Sequence, residues 1–160
     1  MVVYEWRMDV KMKTLLDLSV GDLLEQPEWL TVTQDMINQF ADATGDHQWI
    51  HLDGARCEKE SPFKTTIAHG FLSASLMPKA FAEVVSPSER IASMINYGID
   101  KLRFLEPVKC NDSLKYQFKL IDVTEKPQGK LFKVEASCLL KSSGNPALVG
   151  SFLMLAILKP

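Results

Sequence analysis

From Gly70 onward the chain carries Phe71, Leu72, Leu76, Met77, Ala80, Phe81 and Val84, and this spacing predicts a helix that is apolar on nearly every face. Such a helix has no face to give to water, so the rest of the chain must surround it. It starts near His69-Gly70 and runs toward a stop at Ser86-Pro87, with Pro78 inside it expected to kink it or lengthen one turn. What can surround it follows directly. From Ile91 the period changes to that of strands: Lys101-Leu102-Arg103-Phe104-Leu105, Leu114-Lys115-Tyr116-Gln117-Phe118-Lys119-Leu120, Leu131-Phe132-Lys133-Val134-Glu135-Ala136, and residues 148–158. Turn signals at Lys109-Cys110-Asn111-Asp112, Lys126-Pro127-Gln128-Gly129 and Ser142-Ser143-Gly144-Asn145-Pro146 separate them, and short connections predict an antiparallel meander. The expected fold class is α+β, one mostly buried helix against a curved antiparallel sheet.

A chain of 160 residues suits one domain, and its 46% hydrophobic content supplies a core that needs no metal or disulfide staple. The formal charge of −2 argues against a nucleic-acid partner. Cys57, Cys110 and Cys138 are scattered and odd in number, a pattern that fits reduced thiols and a cytoplasmic setting. The amino-terminal residues include Glu5 and Asp9 and hold no apolar run of signal-peptide length. The longest apolar run, Phe152-Leu153-Met154-Leu155-Ala156-Ile157-Leu158, is far short of the roughly 20 residues of a membrane span, so no membrane partner is expected.

Candidate chemistry is concentrated in one place. Thr33 is set to cap a helix carrying Met36, Ile37, Phe40 and Ala41, and Gly45 is set to end it. Residues 46–51 then read as a loop. All three histidines, His47, His51 and His69, fall between Asp46 and Gly70. Histidine is the side chain best suited to proton traffic near neutral pH.

Gly45-Asp46-x-x-x-Ile50-His51-x-Asp53, followed by Ile67-Ala68-His69-Gly70, resembles the signature of the MaoC-like dehydratases and (R)-specific enoyl-CoA hydratases. The run Thr44-Gly45-Asp46-His47-Gln48-Trp49-Ile50-His51 is similar to the nodulation-protein-N-like branch, as are Asn96-Tyr97-Gly98 and Arg103-Phe104-Leu105-x-Pro107-Val108. The likeness extends from about residue 21 to the end. It implies a hot-dog fold over a single domain, residues 1–160, with a long central helix wrapped by the sheet, paired as a homodimer. It further implies hydration of a 2-enoyl thioester carried on coenzyme A or an acyl carrier, with no cofactor and no metal. By position, Asp46 and His51 hold the water, and the backbone N–H of Gly70 donates to the thioester carbonyl oxygen.

These residue types suit that chemistry. A carboxylate and an imidazole can share one water, taking a proton from it and delivering one to the α-carbon. A free N–H at a helix start meets the negative charge that gathers on the thioester oxygen. Glycine there leaves the approach clear. Other residues carry plainer expectations. His47 reads as a rim residue, His69 as ordering the loop before the helix, Asp53 as orienting a neighbour and Trp49 as packing. Lys101 and Arg103 read as a solvated strand face or as phosphate contacts, and Cys57 is not expected to be a nucleophile. Gln48-Trp49 stands where hydratases commonly have Asn-Pro, which bears on the substrate more than on the reaction. The rival functions are a metal site, a hot-dog acyl-CoA thioesterase and a non-catalytic acyl-thioester binding protein. Fold alone does not separate them.

Overall fold

The computed structural model describes residues 12–160; the amino-terminal stretch with Glu5 and Asp9 lies outside the described residues. After a short 3-10 turn at Leu15–Asp17, strands β1 (Leu23–Glu25) and β2 (Leu30–Thr31) lead into helix α1 (Gln34–Thr44). The Thr33 side chain accepts from the Met36 N–H at 3.3 Å and opens that helix. Gly45 closes it in the left-handed region, φ 78°, with its N–H on the Ala41 carbonyl. Residues 46–51 are not all loop, as the sequence suggested: Trp49–Leu52 forms the single-turn helix α2, and α3 (Gly54–Glu60) follows. Elements this short carry too few residues to show a period.

The predicted buried helix is α4 (Gly70–Ala82). Pro78 lies inside it, and the helix runs on past that residue. It ends at Ala82, earlier than Ser86-Pro87, while the still-buried Val84 and Val85 continue in turns. Four strands follow: β3 (Ile91–Phe104), β4 (Ser113–Lys126), β5 (Gly129–Leu140) and β6 (Pro146–Leu158). The described strands pair antiparallel, in the order β1-β4-β5-β6-β3, with β2 also on β4. Strands β4 to β6 form the expected meander. Strand β3 does not: it crosses to the far edge and pairs with β6 rather than with β4. The chain after it is held elsewhere, because Ala68 N–H donates to the Val108 carbonyl at 2.7 Å and Cys110 N–H to the Thr66 carbonyl at 2.9 Å. A connection stitched to residues 66–68 cannot close a β3–β4 hairpin.

The core sits between α4 and one face of the sheet. Leu114, Tyr116, Phe118 and Leu120 alternate inward on β4, as do Phe132, Val134, Ala136, Cys138 and Leu140 on β5. Phe81 of α4 meets Phe118 and Phe152 edge-on, with ring centroids 5.2 and 5.8 Å apart. Burial of each such side chain stabilises by roughly 1.5–3 kcal/mol. The fully buried Tyr116 donates its hydroxyl to the Ser73 carbonyl at 2.6 Å, tying the first turns of α4 to the sheet.

Candidate active site

Three segments converge at the amino-terminal end of α4: the turn holding Asp46, the single-turn helix α2 holding His51, and the approach to α4 through Ile67, Ala68 and His69. His51 is buried, and its Nδ1 lies 2.6 Å from the Ile67 carbonyl oxygen. A carbonyl only accepts, so Nδ1 carries the proton and Nε2 keeps a bare lone pair. The backbone of His51 is held as well. Gln34 of α1 donates from Nε2 to the His51 carbonyl at 2.8 Å, and the Thr66 hydroxyl donates to Gln34 Oε1 at 2.5 Å.

His69, also buried, stacks on His51 with ring centroids 3.7 Å apart and planes 26° apart. Its Nε2 donates to the Asp46 backbone carbonyl at 2.9 Å and lies 3.9 Å from the Asp46 carboxylate. His69 therefore fixes the loop that carries Asp46, and Gln48 Nε2 donates to the Asp46 carboxylate at 3.2 Å. Asp46, His51 and His69 each present one polar atom within 4.8 Å of the others. Such a cluster invites a metal. However, the two stacked ring planes are offset, with centroids 3.7 Å apart and only 26° between them, whereas a zinc ion at about 2.0–2.1 Å must lie close to both planes at once.

Burial lowers the pKa of His51, with His69 adding to the shift and the Ile67 carbonyl and Asp46 opposing it. The imidazole is thus held neutral to a lower pH than a free histidine. A depressed folded-state value means that the stability this group contributes is complete above the unfolded value near 6.5 and is lost as pH falls through the folded one.

Gly70 is the first residue of α4, so its N–H has no acceptor within the helix. A Cβ built on Gly70 would meet three ring carbons of Phe104 at 3.0 Å. A side chain here crowds the Phe104 ring, which must give by a few tenths of an ångström to admit a methyl group. Phe104 in turn meets Phe71 edge-on at 5.5 Å. A cavity of about 310 Å³ opens beside Gly70, lined among others by His51, Ser73, Phe104, Pro107 and Ala147. That volume is at the small end of ligand pockets.

The remaining residues fall outside this cluster. The half-exposed His47 pairs with Asp42 at 2.9 Å. Asp53 caps α3 by accepting from the Arg56 N–H at 2.9 Å, and the Arg56 guanidinium lies 4.2 Å from the Trp49 ring centroid. Lys101 and Arg103 pair with Ser151 and Val149 of β6 and, with Lys119, line a depression on the sheet face opposite α4. Burial pushes the Cys57 thiol up, away from thiolate chemistry. Sequence reasoning gave no site role to Gln34, Ser73 or Phe104, the last read only as part of a strand and a motif. A serine three residues after Gly70, in a mostly apolar helix, was the available signal.

Residues 17–139 match the family described as the MaoC like domain. The chain is 37% identical over 135 residues to 3-hydroxyacyl-thioester dehydratase Z of Mycobacterium tuberculosis, covering 84% of this chain and 88% of that one. It is 37% identical over 143 residues to nodulation protein N of Rhizobium leguminosarum bv. viciae, covering 88% of each. An unliganded R-hydratase from Pseudomonas aeruginosa superposes with a TM-score of 0.73 at 27% identity, over 90% of this chain and 85% of that one. With an antiparallel sheet laid against α4 and these relatives spanning nearly the whole chain, the protein is a hot-dog member of the MaoC-like domain family.

Proposed function

We propose that this chain is a hydro-lyase that adds water across the double bond of a 2-enoyl thioester and removes it in reverse, with (R) stereochemistry at the hydroxyl. One observation carries the reading: a buried histidine with its bare Nε2 and the free N–H of a helix start line one cavity, and the Asp46 carboxylate lies beside that histidine. A relative named as a 3-hydroxyacyl-thioester dehydratase and a neighbour titled as an R-hydratase support it. In the forward direction His51 Nε2 takes a proton from water as the water oxygen bonds to the β-carbon. Electron density moves onto the thioester oxygen, which the Gly70 N–H stabilises, and the proton taken up by His51 is relayed through the Asp46 carboxylate to the α-carbon. Both side chains then end in the protonation states in which they began. The test is loss of absorbance of trans-2-enoyl-CoAs of several chain lengths. The acid limb of kcat/KM against pH is expected below 6.5, because burial lowers the His51 pKa. A limb above 6.5 contradicts a neutral His51 base, and thioester cleavage without hydration points to a hydrolase.

The same reading pairs two copies through β3. That strand runs from Ile91 to Phe104 with, among the described residues, only β6 beside it, and exposes Met94, Ile95, Tyr97 and Ile99. A long apolar edge open to water is an association surface, and a two-fold pairing of β3 with its copy covers it on both chains. Light scattering is expected to give a dimer of the 18.0 kDa chain, and Ile95→Lys with Ile99→Lys should shift it toward monomer. A wild-type monomer at micromolar concentration refutes the pairing. The coenzyme A or acyl-carrier substrate, the single domain over residues 1–160 and the cytoplasmic setting belong to this proposal. Three unpaired thiols support the last. Among the described residues no helix is long and apolar enough to cross a membrane.

A further inference from the structure

Ser73 is 2% exposed, lines the cavity beside Gly70 and His51, and its hydroxyl has no hydrogen-bond partner among the described residues. A helix serine usually satisfies itself by donating to the carbonyl four residues back. Ser75, two positions on and on the exposed side, does so, donating to the Phe71 carbonyl at 2.7 Å. Ser73 does not, although its own backbone is anchored by the Tyr116 hydroxyl on its carbonyl. Leaving a buried hydroxyl unpaired costs about 1–3 kcal/mol, so the group calls for a ligand. Among the described residues the other buried side-chain polar atom without a partner, His69 Nδ1, belongs to the residue four positions earlier.

Geometry says what kind of ligand. Gly70 and Ser73 are three residues apart and share a face of α4, and helical side chains lean toward the amino terminus, so the Ser73 hydroxyl leans toward the turn that presents the Gly70 N–H. We propose that the Ser73 hydroxyl is a second donor to the thioester carbonyl oxygen, acting with the Gly70 N–H to hold the enolate-like oxygen through both its lone pairs. This rests on the hydratase reading given above. The ligand chemistry is a carbonyl acceptor that gains charge during the reaction. A neutral hydroxyl is a weaker donor than a helix-end N–H, so its share of the rate is about 10- to 100-fold.

The test compares wild type, Ser73→Ala and Ser73→Thr by turnover, by thermal melting and by the absorbance of bound trans-cinnamoyl-CoA, whose conjugated thioester shifts to the red when its carbonyl oxygen is polarised. Ser73→Ala should lose about 10- to 100-fold in kcat with KM within about threefold. It should also halve or abolish the red shift, and melt no lower than wild type, because it removes an unpaired buried hydroxyl. Ser73→Thr keeps the hydroxyl and should restore the red shift and most of the turnover. An alanine variant with unchanged kcat and red shift overturns the proposal, as does one that melts lower and keeps both. The hydratase reading fails separately. If wild type turns over no enoyl thioester yet shifts the probe and alanine removes the shift, the carbonyl donor stands and hydration falls. If wild type neither turns over nor binds the probe, both fall.

Discussion

His51→Ala will lower the hydration of trans-2-enoyl-CoA by roughly 10²–10⁴-fold, the share a general acid–base group contributes, and Asp46→Asn will do the same. Because His51 Nδ1 is committed to the Ile67 carbonyl, Nε2 is the nitrogen left to accept a proton, and burial keeps it unprotonated. Asparagine at position 46 keeps the shape that Gln48 and His69 hold but cannot take or give a proton under the reaction conditions. The double variant should fall little further than either single one, since the two side chains act on one water as a unit. Circular dichroism separates chemistry from collapse, because His51 is buried and its removal opens a small void. Folded variants with wild-type turnover would place the chemistry elsewhere.

Gly70→Pro should fold and lose roughly 10²–10³ in turnover, the usual cost of one oxyanion donor. Proline deletes that N–H and is tolerated at the first helical position. The preceding His69 already has φ −59° and ψ 136°, the extended conformation that a following proline demands. Gly70→Ala is the control for bulk. It keeps the N–H and places a methyl 3.0 Å from the Phe104 ring, which must give way by a few tenths of an ångström. Alanine should therefore act mainly on KM and proline on kcat. Equal kcat in the proline variant and wild type would mean that the thioester oxygen is held without Gly70.

The helix and the meander were legible because each follows a period: apolar residues all round α4, and inward alternation on β4 and β5. Capping was legible too, since Thr33 and Gly45 act through local geometry. The position of β3 was not, because nothing in an alternating strand names its neighbour; that is decided by where residues 105–112 are tied down. Helices α2 and α3 escaped for lack of length. At the candidate site, Asp46, His51 and Gly70 stood out through motif spacing, which brings them close in space as well. The support behind them did not stand out. Gln34 lies seventeen residues before His51 in the chain, and its hold on the His51 carbonyl exists only once α1 packs beside α2.

The pairing of β3 with β6 has a consequence for the order in which the molecule assembles. Ile91 sits opposite Leu158 and Phe104 opposite Leu148, so that ladder joins residues from 67 down to 44 positions apart and includes the last strand in the described sequence. Contacts so distant in sequence close slowly, because the loop entropy is lost before the contacts form. During synthesis α4 leaves the ribosome well before β6. Its apolar faces therefore have no complete sheet to cover them until the final strand is made. Nascent chains of this protein pass through a stage in which the future core is the most adhesive surface they own, and completion of β6 ends it.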